Sequence, residues 1–253
     1  MLRKIFYLIK HNIVLNNLAI ILGLENILKS SNKMWTEFKV NKNKSLQENV
    51  GFSHRSDVEE ALKKTHVDLI NTVETYLKND NSILDIGCGT GLYLKDFYDK
   101  SYQLYGIDIS EQMIHEAKQQ LPSVNFMVGN FTTFTLERKF DLIYSISVLE
   151  YIGRNEINHY FRKLANQLNP NGVIFIQYPH ALTFKDTLYP DLNYIKYSPE
   201  VVEKYTSKYF NIVRHSHSFD NRSVKRFDNF QYPSTNGTFK NGYLLIASKK
   251  TIN

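Results

Sequence analysis

The chain has 253 residues, enough to bury a sizeable core in one domain with an appendage, and its 42% hydrophobic content is ordinary for a globular protein. Its 31 Lys and Arg against 25 Asp and Glu leave a formal charge of +6, which fits a solvated lysine surface or a field for an anionic acceptor, a nucleic acid or an acidic membrane. The single cysteine, Cys88, excludes an internal disulfide framework and a cysteine-rich zinc site, and it suits a reducing cytoplasm, the expected location.

Residues 1–30 read as one or two helices. Met1–Lys10 is basic and apolar and Leu18–Leu24 is a short apolar run, but Lys10, His11, Asn12, Asn16 and Asn17 interrupt them. A bilayer span needs roughly 20 mostly apolar residues, so this stretch is too broken to cross. No small-residue cleavage site marks a signal peptide. The pattern fits an amphipathic helix packed on the domain. A helix on a membrane surface, with Arg3, Lys4 and Lys10 near the headgroups, is the second reading. Ser30–Lys44 is a polar connection holding the only tryptophan, Trp35.

From Ser56 to Lys78, apolar residues from Val58 to Leu77 recur at helical spacing, with Ser56 as N-cap and Glu59 completing a capping box. Asn79–Asn81 breaks this helix. Next come strand Ile83–Ile86, helix Leu92–Tyr98 and strand Gln103–Ile109. Helix Glu111–Gln120, capped by Ser110 and stopped at Pro122, leads to strands Val124–Val128 and Phe140–Ile146. Helix Glu156–Leu168, turn Asn169–Gly172 and strand Val173–Tyr178 complete the series. Strands and helices alternating through short connections predict a parallel sheet covered on both faces. The C-terminal part differs: Ser198–Tyr209 reads as helix, and Phe210–Ser218 and Gly242–Ser248 as strands. The polar stretch Asp220–Asn241 between those strands holds no helix. They are therefore expected to run antiparallel to each other.

Ile83-Leu-Asp-Ile-Gly-Cys-Gly-Thr-Gly91 places three glycines between a strand and a helix. Glycine is wanted where the backbone turns tightly and a ligand approaches without a Cβ in the way. In a doubly wound sheet that turn lies at the carboxyl end of the first strand, where ligands bind. The spacing is G-x-G-x-G rather than the dinucleotide G-x-G-x-x-G, and Asp85 precedes it. An acidic residue there repels a pyrophosphate and suits a ligand carrying an ammonium or sulfonium cation.

Residues 83–91 resemble motif I of the class I S-adenosylmethionine-dependent methyltransferases, in the form common among enzymes acting on small molecules. Further stations follow in order. Tyr105–Ser110 resembles the second motif, with Asp108 in the position whose carboxylate holds the ribose hydroxyls. Val124–Phe131 is similar to the third, where an acidic residue usually receives the adenine amino group and this chain has Asn130. Phe140–Ile152 resembles the fourth strand and its following loop, with Leu149-Glu-Tyr151 where LEH is frequent, and Leu168–Val173 matches the turn into the fifth strand. The resemblance covers about residues 56–180. It implies S-adenosyl-L-methionine as cofactor, contacted by Asp85, Gly87, Cys88, Gly89, Gly91, Asp108, Asn130 and Ser145, with Ile109, Met113 and Phe131 flanking the adenine. Cys88 is expected to serve as a small filler whose neighbours make the contact. The implied fold is a Rossmann-like seven-stranded, mostly parallel sheet with helices on both faces and the last strand antiparallel. Residues 1–55 are expected to form an N-terminal helical cap or lid, and residues 56–253 the methyltransferase domain, with a basic insertion at about 219–241.

The acceptor side is read from fewer signals. His180 follows the fifth strand, where family members line the acceptor pocket, so His180 and Tyr178 are the candidate bases for a hydroxyl acceptor. His54, Arg55, Glu150 and Tyr151 are candidate acceptor contacts, as are Arg222 and Arg226 in the basic, aromatic stretch Arg222–Lys240. Such interleaving fits a phosphorylated or nucleotide-linked small molecule, single-stranded nucleic acid, or a solvated hairpin extension. No histidine pair has zinc-like helical spacing with an acidic partner, so no metal is expected, and His215 and His217 read as a surface pair on one strand face. The expected activity is methyl transfer to a small polar or anionic acceptor: a sugar, sugar nucleotide or phosphorylated precursor of a cell-surface glycan. Lipid or quinone precursors, RNA, and a non-catalytic cofactor-binding module stay open; nucleic acid ranks low because no recognisable nucleic-acid module is present.

Overall fold

The computed structural model describes residues 56–179, 197, 199–217 and 242–250. The N-terminal cap, the basic insertion, and the candidates His54, Arg55, His180, Arg222 and Arg226 lie outside these residues. Among the described residues no helix is long and apolar enough to cross a membrane.

Helix α1 (Ser56–Tyr76) leads into β1 (Ser82–Ile86) through a turn in which Asp80 has φ +65° and Asn81 Oδ1 accepts from Lys78 N at 2.7 Å. The other strands are β2 (Gln103–Asp108), β3 (Asn125–Val128), β4 (Phe140–Ile146), β5 (Leu168–Pro179), β6 (Phe210–His217) and β7 (Gly242–Lys249). The helices between them are α2 (Glu111–Gln120), α3 (Ile157–Gln167) and α4 (Pro199–Thr206). They form one seven-stranded sheet in the order β3-β2-β1-β4-β5-β7-β6. Strands β3 to β5 run parallel, and β7 lies antiparallel between β5 and β6, as the sequence pattern predicts.

The burial pattern explains the layers. All five residues of β1 are buried, the mark of a strand covered on both faces. Ile83, Leu142, Phe175 and Leu244 pack on one face with Leu69 and Val73 of α1 and Ile114 and Ala117 of α2. Leu84, Ile143, Ile176 and Leu245 pack on the other with Tyr160 and Leu164 of α3 and Val202 of α4. Successive strands leave β1 in opposite directions, so the crevice between β1 and β4 opens at the carboxyl edge.

Three elements differ from the sequence pattern. The helix expected over Leu92–Tyr98 is a single 3-10 turn, Leu94–Phe97, because Leu94 and Phe97 dock into the core and the run is too short to propagate a helix. The turn at Asn169–Gly172 is absorbed into β5: Leu168 pairs with Phe140, the register shifts before Leu142, and Asn169 Nδ2 donates to Asp141 Oδ1 at 2.8 Å. Helix α4 stops at Thr206, whose hydroxyl donates to Val202 O.

Candidate active site

The glycine loop is drawn over β2. Gly87 N and Cys88 N both donate to Ile107 O, at 2.8 and 3.2 Å, and Gly91 N donates to Cys88 O at 2.8 Å. Gly87 has φ +70°, and a Cβ there would lie 2.3 Å from Val148 Cγ2, so the loop passes the β4 edge only as glycine. Gly89 has φ +52° and would set its Cβ in open space. One glycine allows close packing, while the other leaves the outer face of the loop clear for a ligand.

Asp108 ties this loop to α2. Its Oδ2 accepts from Gly89 N at 2.9 Å and its Oδ1 from Ser110 N at 2.8 Å, while Ser110 Oγ accepts from Met113 N as the N-cap of α2. Burial raises the Asp108 pKa above the usual carboxylate range, with the backbone N–H groups opposing it. Each oxygen retains a second lone pair that can accept from a hydroxyl.

Asp85 is only 2% exposed, and its Oδ2 makes no hydrogen bond. Burial pushes its pKa well above the usual range; the Tyr144 phenol beside it opposes the shift and the Asp108 charge adds to it. The register sets Tyr144 directly across from Asp85 on β4, yet Tyr144 Oη also completes no hydrogen bond. Tyr93 lies close enough for the Asp85 charge to help burial raise its pKa. A buried carboxylate left short of a donor is costly unless a ligand supplies one. An ammonium near Asp85 and vicinal hydroxyls on Asp108 match this donor set, so the residues fit an adenosyl amino-acid cofactor. Sequence reasoning missed Tyr144 and Tyr93, whose proximity to Asp85 appears only once the β1–β4 register is known.

The other expected contact residues have the following surroundings. Phe131 is buried edge-on against Tyr160, with Lys163 5.2 Å from its ring centroid. Ser145 is likewise taken up, its Oγ 2.9 Å from Tyr160 Oη on the α3 face. Met113 is 2% exposed and packs into the core; Ile109, just beyond Asp108, is half-buried. Cys88 is a buried filler whose burial pushes its thiol up. Asn130 Oδ1 accepts from Thr132 N and Thr132 Oγ1, at 3.0 and 2.9 Å, which uses both of its lone pairs within its own turn. Glu150 is buried in the 3-10 turn Leu149–Tyr151, and Tyr151 is half-buried there. Tyr178 is buried at the end of β5, its hydroxyl 2.7 Å from His215 Nε2. His215 is not the surface residue that strand alternation suggests: its side chain is 3% exposed, because α4 covers that face of β6.

A sequence profile of the methyltransferase domain matches residues 83–172, from β1 into β5, the segment that builds the loop and both carboxylates. Over those residues the chain is similar to the methyltransferase domain family. The chain is 30% identical over 112 residues to dTDP-3-amino-3,4,6-trideoxy-alpha-D-glucopyranose N,N-dimethyltransferase of Streptomyces venezuelae, covering 44% of this chain and 47% of that protein. It is also 30% identical over 167 residues to malonyl-[acyl-carrier protein] O-methyltransferase 1 of Ilyobacter polytropus, covering 60% of each. The chain thus spans about half the length of the curated relatives it matches. In fold, the chain resembles N-methyltransferase NodS from Bradyrhizobium japonicum WM9, solved with S-adenosyl-L-homocysteine. That likeness has a TM-score of 0.62 at 13% identity, covering 88% of this chain and 98% of that one.

Proposed function

We propose that this chain is a methyltransferase that binds S-adenosylmethionine across the carboxyl ends of β1 and β2 and methylates a small polar acceptor over the ends of β4 and β5. Asp85 carries the reading, as a buried carboxylate with an unmet oxygen on the strand that feeds an open glycine turn. A buried carboxylate, Asp85, and a half-buried one, Asp108, disfavour a pyrophosphate, whereas an ammonium and a ribose diol satisfy both. When bound, the cofactor supplies a methyl group activated by its sulfonium. The chain's own part is alignment and exclusion of water. Asp108, fixed by Gly89 N and Ser110 N, holds the ribose end, and Asp85 holds the amino-acid end.

The acceptor we favour is a sugar, sugar nucleotide or phosphorylated precursor of a cell-surface glycan. The net charge of +6 and the similarity to nucleotide-sugar N,N-dimethyltransferases support it. Methylation of an acyl or lipid precursor is the second reading, favoured by the longer alignment with the acyl-carrier O-methyltransferase. Calorimetry tests the cofactor: folded protein that takes up no S-adenosylmethionine would sink the proposal. Mass spectrometry of a cell extract incubated with enzyme and cofactor tests the acceptor. A nucleotide sugar gaining one methyl is expected, and an acyl species gaining it instead decides for the second reading.

A further inference from the structure

On the face of the sheet covered by α4, three side chains from three elements form a continuous hydrogen-bonded line. Tyr178 Oη on β5 lies 2.7 Å from His215 Nε2 on β6, and His215 Nδ1 lies 2.8 Å from Glu203 Oε1 on α4. The line runs from inside to outside: Tyr178 is 1% exposed, the His215 side chain 3%, and the Glu203 side chain 42%. Tyr243 of β7 stacks on Tyr178 with ring centroids 6.0 Å apart and lies 5.4 Å from His215, fixing both rings. The inner end is at the carboxyl edge, since Tyr178 follows Gln177, whose carbonyl accepts from Ser147 N just past β4. The glycine loop springs from β1, two strands away, or roughly 10 Å at ordinary strand spacing.

We infer that Tyr178, His215 and Glu203 form a proton relay that accepts the proton of a hydroxyl acceptor and delivers it to solvent. The inference rests on the methyltransferase reading above and narrows its acceptor to a hydroxyl. Glu203 orients the ring so that Nδ1 carries the hydrogen and Nε2 receives one from Tyr178. Burial, together with Tyr243, Glu203 and Glu200, holds the Tyr178 phenol well above its ordinary range, so no free phenolate stands ready at neutral pH. Tyr178 can therefore take a proton only as its own leaves for His215. In that step the acceptor O–H bond breaks and its proton goes to Tyr178 Oη. The Tyr178 proton passes to His215 Nε2, and the Nδ1 proton leaves through Glu203 to water. The oxygen's electron pair forms the new O–C bond, while the C–S bonding pair stays on sulfur, leaving a neutral thioether. Tyr178 is the proposed base; His215 and Glu203 are positioning and transfer residues.

Among the described residues, the titratable groups recorded against His215 are Tyr178 from β5, Tyr243 from β7 and Glu203 from α4, while Glu200, one turn earlier on the helix, acts on Tyr178. The test compares the full chain with Tyr178→Phe, His215→Gln and Glu203→Gln. Calorimetry measures S-adenosylmethionine affinity, and release of S-adenosylhomocysteine across pH is followed with the small-molecule fraction of a cell extract as acceptor pool. Turnover should fall about a hundredfold or more in the Phe and His215 variants and about tenfold in Glu203→Gln, the scale of a lost acid–base group. Cofactor affinity should stay within about twofold. Wild-type kcat should fall at acid pH as His215 takes up a proton, and the residual rate of His215→Gln should lack that limb. A merely structural clip would lower the melting temperature and leave the pH profile of the folded fraction unchanged. Nitrogen NMR of the wild-type His215 ring adds a readout that needs no variant to fold: the proton should sit on Nδ1, and a proton on Nε2 in the neutral ring overturns the relay. So does Tyr178→Phe turning over within about threefold of wild type, or a product methylated only on nitrogen. Should wild type bind no cofactor, both readings fall; should it turn over with Tyr178→Phe matching it, only the relay falls.

Discussion

The two halves of the carboxyl edge treat buried polar groups in opposite ways. On the β1–β2 side, Asp108 is held by backbone N–H groups and Asp85 keeps one oxygen without a hydrogen bond. On the β5–β6 side, Tyr178, His215 and Glu203 satisfy one another in a line that ends at the surface. The first arrangement stores an unmet interaction that a ligand can complete, which favours tight and oriented binding. The second has nothing left unmet and owes its use to proton movement along it. A fixed cofactor and a variable acceptor call for this division: rigid recognition on one side, transferable chemistry on the other.

The largest expected effect breaks the first half. Asp108→Ala removes the proposed contact to two ribose hydroxyls and releases Gly89 N and Ser110 N together. Hydrogen bonds to a charged group are worth roughly 1.5–3 kcal/mol each, so cofactor affinity should fall a hundredfold or more by calorimetry. Unchanged affinity would remove the ribose from this strand end.

Gly87→Ala comes next and acts on the fold. A left-handed φ costs a residue with a Cβ about 1–2 kcal/mol, and overpacking against Val148 adds about 1–3 kcal/mol. Denaturant unfolding should show a loss of about 2–5 kcal/mol. A loss under about 1 kcal/mol would mean that the loop yields readily and is not a fixed cradle.

These two positions were legible in the sequence because their physics is local. A glycine turn after a buried strand, and a carboxylate ending the next strand, occupy fixed places in a short stretch of chain. The seven strands were legible for the same reason, as runs of apolar residues between turn formers. The contacts of Ser145 and Phe131 with Tyr160 were not legible, because no motif spacing reports which face of a strand a helix covers. The line through Tyr178 was illegible for a stronger reason. It joins β5, β6 and α4, and only the insertion of β7 between β5 and β6, with α4 above, converts His215 from a surface residue into a buried one.

Asp85→Asn should separate binding from stability. Because burial raises the Asp85 pKa, the folded chain keeps this proton at pH values where the unfolded chain has released it. Its contribution to stability is therefore fully present below the ordinary carboxylate range and declines as pH rises through the raised value. The neutral isostere escapes that penalty. Without cofactor, Asp85→Asn should melt above wild type at pH 7, and the gap should close near about pH 4. Its cofactor affinity should nevertheless fall. Asp141 supplies the opposite sign at the other end of the sheet. Burial alone would raise its pKa, but Ser82 N, Asn169 and Ser82 Oγ together hold it below the usual range. That stability is present above the ordinary carboxylate range and is lost as pH falls through the lowered value. Asp141→Asn should therefore melt below wild type at pH 7, with the gap closing in acid. Equal behaviour of the two variants would erase the distinction between a carboxylate kept for a ligand and one kept for the fold.

Ser145→Ala is the smallest change and marks where the cofactor half ends. Its Oγ meets Tyr160 Oη inside the core, so truncation leaves a buried phenol short of one partner. The cost should be about 1–2 kcal/mol, a shift of a few degrees in melting temperature. Cofactor affinity should stay within about twofold, since the side chain faces α3 while Tyr144, one residue before, faces Asp85. A tenfold loss of affinity at unchanged stability would put Ser145 against the cofactor and move the boundary between the halves from β4 to β5. Tyr178 would then lie beside the methyl donor, and the relay would begin at the cofactor rather than beyond it.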